Sequence, residues 1–194
     1  MLLGTSKFDR IASYQYNEAE DKIKTGDILF CSGNYHFSKI VRFLSDSLFT
    51  HVAIVFWRSR QLFLLECEIS IGVRVVPFSE YVRNYNNTNK PYNGDLFLGR
   101  HEITNDYTKA ELLIEHAMHF VNRRFDHTTL AWILLRIITK IGQYKEKDAY
   151  ICSDFVEKCF RKIGVQFPSD AGGFVFPEHI ASDPGVEPLF RIIK

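Results

Sequence analysis

The stretch Asp148-Ala149-Tyr150-Ile151-Cys152-Ser153-Asp154 carries a cysteine out of an irregular polar segment into residues whose apolar members, Phe155, Val156, Cys159, Phe160 and Ile163, follow helical spacing. Cys152 therefore falls at a helix N-terminus. Unpaired N–H groups and partial positive charge there favour a thiolate and can hold the oxyanion of an acyl-transfer intermediate, so the position suits a nucleophile. The plain alternative is a buried cysteine that extends the apolar stripe.

A thiol nucleophile needs a base, and of the seven histidines only His51 opens an apolar strand, His51-Val52-Ala53-Ile54-Val55-Phe56-Trp57. The following run, Gln61 to Glu68, makes a hairpin with it. A two-residue loop at Arg58-Ser59 would set His51 directly opposite Glu66, about 5 Å away between Cβ atoms. A loop two residues longer would set it opposite Glu68, still on the same face, and spacing does not choose between them. Glu66 lies among Leu62, Phe63, Leu64, Leu65 and Cys67, where an unpaired carboxylate is costly, so it should have a partner. The competing reading is an exposed glutamate near a strand end.

Other chemistries fit less well. The 24 basic and 23 acidic residues leave a formal charge of +1, with no footprint for nucleic acid or anionic lipid. The four cysteines, Cys31, Cys67, Cys152 and Cys159, form neither a disulfide framework nor a zinc pattern, and free thiols imply a reducing compartment. His116 and His119 stand three apart with Glu111 a turn earlier, but this is no recognised metal spacing, and an amphipathic helix accounts for it. No metal or organic cofactor is expected. His36, His101, His127 and His179 fall in expected loops and receive no role. No signal-peptide pattern is visible in the first residues, and the longest apolar segment, Leu130 to Ile141, is interrupted by Arg136 and Lys140 and too short to cross a bilayer, so the expected location is cytoplasmic.

The elements that must position these residues follow from periodicity. Residues 1–194 have the size and the 46% hydrophobic content of one domain, with 1–22 expected as a loose arm or short helix. After the turn Lys24-Thr25-Gly26-Asp27, strands are expected at Ile28 to Cys31, His51 to Trp57, Gln61 to Glu68, Gly72 to Val76 and Gly94 to Leu98. A helix is expected over Phe37 to Leu44, and Asn84 to Asn93 reads as a mobile polar insertion. From Thr108 the period becomes helical, with Thr108 as N-cap and Glu111 completing a capping box. Further helices are expected over Thr128 to Ile141 and Cys152 to Ile163, the last closed by Gly164. Strands followed by helices make an α+β domain.

Taken together, Thr25-Gly26-Asp27-Ile28-Leu29-Phe30, Phe49-Thr50-His51-Val52-Ala53-Ile54-Val55, Leu64-Leu65-Glu66 with Gly72-Val73-Arg74-Val75-Val76-Pro77, and Tyr150-Ile151-Cys152-Ser153-Asp154-Phe155-Val156 resemble the permuted branch of the NlpC/P60 superfamily, the YiiX-like proteins and their poxvirus relatives. The histidine strand precedes the cysteine helix, reversing the order of common papain-like enzymes. The resemblance implies a circularly permuted papain-like fold, an antiparallel sheet packed on helices, with Cys152 as nucleophile, His51 as base, Glu66 as third polar group and Tyr150 near substrate or oxyanion. Thr50 and Asp154 stand where family members often have serine and glutamate. It further implies a cysteine hydrolase acting on a peptide or isopeptide amide. The alternatives are an acyltransferase or thioesterase resembling lecithin:retinol acyltransferase, whose Asn-Cys-Glu-His-Phe pattern this chain lacks, and a non-catalytic ligand-binding module. Oligomeric state is not legible in the residues. Brief alkylation near neutral pH should modify Cys152 far faster than Cys31, Cys67 or Cys159; equal, slow labelling of all four would support the binding module.

Overall fold

The computed structural model describes residues 3–34, 47–68, 71–123 and 152–194. The expected helices at Phe37 to Leu44 and Thr128 to Ile141 lie outside them. Among the described residues the strands form one seven-stranded sheet. They are β1 (Ala12–Gln15), β2 (Ile28–Gly33), β3 (His51–Arg58), β4 (Gln61–Glu68), β5 (Gly72–Pro77), β6 (Gly94–His101) and β7 (Val186–Ile193), in the order β1-β7-β6-β2-β3-β4-β5. β1 pairs with β7 in parallel; the other neighbours are antiparallel. The helices are α1 (Leu3–Lys7), α2 (Tyr16–Ala19), α3 (Phe78–Arg83), α4 (Tyr107–Met118), α5 (Cys152–Lys162) and α6 (Pro177–Ser182).

The near-continuous apolar runs of β2, β3 and β4 are what a sheet covered on both faces requires. Alternation divides their side chains between two cores. Phe30, Val52, Ile54, Leu65 and Cys67 pack with Leu113 and Ala117 of α4 and with Phe155, Val156, Cys159 and Phe160 of α5. On the other face, Leu29, Cys31, Ala53, Val55 and Leu64 pack with Tyr16 and Ala19 of α2 and with Phe78, Tyr81 and Val82 of α3. Among the described residues no helix is long and apolar enough to cross a membrane.

Within residues 3–22 the short-helix expectation holds, as α1 and α2, and the loose arm does not. Phe8 is buried against Phe30, Phe49 and Phe97, with ring centroids 5.1–6.1 Å away, and β1 adds an edge strand. β7 has no counterpart among the expected strands. Pro188 interrupts its pattern and is accommodated where the β6–β7 register shifts between Leu98 and Gly99, as proline in a sheet requires. Helix α4 is capped by Asp106 rather than Thr108: the Asp106 carboxylate accepts from the N–H groups of Thr108 and Lys109 at 2.8 and 3.4 Å, so the helix begins earlier. His101 and His179 are not loop residues. The first ends β6, buried; the second lies in α6, where Nδ1 accepts from the N–H of Phe176 at 3.0 Å.

The β3–β4 hairpin turns on Ser59 and Arg60, whose φ angles of 51° and 64° are left-handed. Such a turn favours Asn-Gly, because other L-residues pay a steric penalty at positive φ. Replacing Ser59-Arg60 by Asn-Gly should stabilise the protein by about 1 kcal/mol in urea denaturation. A loss of stability would show that the turn conformation is otherwise supported.

Candidate active site

The position of that turn decides how Glu66 reaches His51. Because Arg58 pairs with Gln61, the register moves two residues from the one that an Arg58-Ser59 loop would give, and Glu66 lies opposite Ala53. His51 and Glu66 are diagonal neighbours on one face of the sheet. They nonetheless meet: His51 Nε2 and Glu66 Oε2 are 2.7 Å apart.

Glu66 is fully buried, and desolvation of a carboxylate must be offset by partners. Both oxygens are engaged. Oε2 also accepts from the Tyr81 hydroxyl, while Oε1 accepts from Arg74, whose Nε and Nη2 each lie 2.8 Å away. Arg74 is the residue directly opposite Glu66 on β5, and Tyr81 projects from α3. Burial pushes the Glu66 carboxyl up, but the hydrogen bond and charge of His51, the charge of Arg74 and the Tyr81 hydroxyl outweigh it and hold the group below the usual carboxylate range.

Cys152 is the first residue of α5, whose buried face sits against β3 and β4. It is half-buried, whereas Cys31, Cys67 and Cys159 are buried. Its side chain hydrogen-bonds that of His51. Since Nε2 is committed to Glu66, Nδ1 is the ring nitrogen left for sulfur. The helix comes from one face of the sheet and Glu66 belongs to the other, so contact requires a residue at the end of a strand; His51 opens β3. Thr50 secures that end. Its N–H donates to Cys31 O at 2.8 Å, and its hydroxyl bonds Cys31 O at 3.2 Å and the N–H of Gly33 at 3.0 Å. Burial disfavours a charged imidazole, yet the hydrogen bonds and charges of Cys152 and Glu66 prevail, and the pKa of His51 is raised to about 10.

The structure thus brings together Cys152, His51 and Glu66. Tyr150 lies outside the described residues. The His116 and His119 rings are 6.5 Å apart, and among the described residues no group of three His, Cys, Asp or Glu side chains could hold a metal ion. A shallow groove of about 570 Å³ beside His101, Gln166 and Asp183 is lined by none of the three site residues. Arg74 and Tyr81 were not anticipated. An arginine set between valines on a short strand beside a buried glutamate was the available signal for the first; nothing short of the packing of α3 marks the second.

The linkage between pH and stability follows from these directions. The raised His51 contributes stability that is fully present below its ordinary value near 6.5 and lost as pH rises toward 10. The lowered Glu66 contributes stability that is lost as pH falls through its folded value. Urea titrations should therefore show the stability gap between wild type and Glu66→Gln narrowing steadily from about pH 6.5 upward, toward pH 10. A gap constant over that interval would mean that the imidazole does not carry its proton in the folded state.

The family model of the permuted papain-like amidase enzymes, the YaeF/YiiX or C92 family, matches residues 22–184. Among curated proteins no relative matches. Among solved structures, the crystal structure of the metalloprotein yiiX from Escherichia coli O157:H7 is similar at a TM-score of 0.65 and 15% identity, over 86% of this chain and 96% of that one, which shows the shared fold. With a mixed sheet flanked by helices and the histidine strand ahead of the cysteine helix, the chain belongs to the C92 family of permuted papain-like amidases and is a cysteine hydrolase of the peptidase and amidase kind.

Proposed function

We propose that this protein cleaves a peptide or isopeptide amide through an acyl-enzyme, with Cys152 as nucleophile, His51 as general base and acid, and Glu66 orienting the imidazole. The observation that supports this reading best is the continuous line from Cys152 to His51 to Glu66, which supplies a proton path from sulfur and a fixed anion behind the ring. In the resting thiolate–imidazolium pair the proton already sits on Nδ1 of His51, and the sulfur of Cys152 attacks the carbonyl carbon. The oxyanion forms at the start of α5, where the backbone N–H of Cys152 is the first donor. The imidazolium then protonates the leaving amine as the C–N bond breaks. Water, deprotonated by His51, attacks the thioester; the carboxylic acid departs and the thiol regains its proton.

The structural neighbour is described as a metalloprotein. Among the described residues the donor set does not fit such a centre at the triad. Both Glu66 oxygens already accept from His51, Tyr81 and Arg74, which leaves sulfur and one ring nitrogen.

The reading is tested by screening γ-glutamyl and other isopeptides, peptides, thioesters and phospholipid esters against wild type, Cys152→Ala and His51→Ala. Turnover of an amide, abolished by Cys152→Ala and lowered roughly 10²–10⁴-fold by His51→Ala, is the expected result. Turnover confined to esters would replace it with the acyltransferase or thioesterase reading. Amide turnover that survives Cys152→Ala would overturn it.

A further inference from the structure

Glu66 must perform two opposed tasks if His51 is the base, the reading on which this inference rests. It has to hold the imidazole in place, yet an undiluted buried anion would make the imidazolium so stable that it could no longer protonate a leaving group. The geometry contains a device that separates the tasks. One oxygen faces His51 and Tyr81; the other faces Arg74, which directs both Nε and Nη2 at that single atom. Arg74 is itself held, since Nη2 also donates to Asn86 Oδ1 at 3.0 Å. Asn86 has a φ of 50°, a conformation that asparagine tolerates better than most residues. Tyr81 is clamped between Tyr85 and Tyr92, with ring centroids at 4.9 and 5.3 Å. Asn86, Tyr85 and Tyr92 all belong to the segment 84–93. What reads in the sequence as a polar insertion is the outer support of the site.

We propose that Arg74 and Tyr81 are positioning residues that set how firmly His51 keeps its proton, by sharing the charge of Glu66, and that the segment 84–93 exists in part to hold them. The groups facing the imidazole are Cys152 from α5, Cys31 from β2 and Glu66 from β4, with Arg74 of β5 and Tyr81 of α3 behind the carboxylate and Glu68, two residues on along β4, adding a weaker charge that also acts on Arg74. Burial and the neighbouring Glu66 raise both the Cys31 thiol and the Tyr81 phenol well above their ordinary values, so both stay protonated and bring no charge of their own. Arg74 is the cation set against Glu66. Its loss leaves the carboxylate's full charge for the imidazole.

The test is an NMR titration of the His51 ring protons in a Cys152→Ala background, which removes the coupled thiol. Arg74→Gln should raise the titration midpoint by roughly one pH unit, the lower end of what an opposite charge does at close range. Arg74→Lys, which retains the charge and loses the fork, should shift it less. Tyr81→Phe should raise it in the same direction, and Glu66→Gln should lower it. A folded Arg74→Gln protein whose midpoint is unchanged or falls overturns the proposal; if that variant does not fold, an unchanged midpoint in Tyr81→Phe does so. Failure of the underlying reading is seen separately. In that case iodoacetamide would alkylate Cys152 in His51→Ala as fast as in wild type, whatever the titrations show.

Discussion

A carboxylate with no exposed surface in the middle of a sheet dictates much of what surrounds it. Glu66 cannot remain charged there without donors, and removal of a partner from a buried charge is among the most destabilising changes a protein can suffer. Its oxygens are served by side chains from β3, β5 and α3, so three elements are tied to one anion. The arginine opposite and the tyrosine above both satisfy that group. The imidazole is held as one more partner of a buried anion, which fixes its ring and leaves one nitrogen for sulfur.

The two-faced sheet explains why the site sits where it does. Glu66, Arg74 and Tyr81 belong with the core under α3, whereas Cys152 arrives on a helix packed against the opposite core. Residues on opposite faces of a strand do not meet through the sheet. They meet around its end, and His51 stands at that end. Thr50 and the backbone of Cys31 and Gly33 hold the β2–β3 margin, so the histidine starts from a fixed point although its strand is only beginning. Permutation of chain order leaves this arrangement intact, because it depends on which layers the elements occupy and not on which comes first.

The central strands were legible because β2 to β5 are apolar runs bounded by turn residues, and the helix at Cys152 because its stripe ends in Gly164, which adopts a φ of 94°. Cys152, His51 and Glu66 stood out by chemical incongruity: a cysteine at a polar-to-apolar boundary, a titratable ring opening a core strand, an acid among leucines. Two registers stayed open in the sequence because neither Arg58-Ser59 nor Ser59-Arg60 carries the asparagine or glycine that marks such turns, and the observed pairing follows the one that runs His51 toward Glu68. β7 was concealed by Pro188, and β1 by being short, mostly exposed and paired with a strand some 180 residues away. Arg74 and Tyr81 are defined by cross-strand and helix-to-sheet contacts, which periodicity within one segment does not encode.

Covalent capture examines most directly whether Cys152 and His51 act as one chemical unit. Wild type and His51→Ala are exposed briefly to p-nitrophenyl acetate at neutral pH, digested, and mapped by mass spectrometry. The expected result is an acetyl adduct on the peptide carrying Cys152 in wild type and little or none in His51→Ala. Acetylation that falls on another cysteine, or that reaches Cys152 equally fast without the imidazole, would contradict the account.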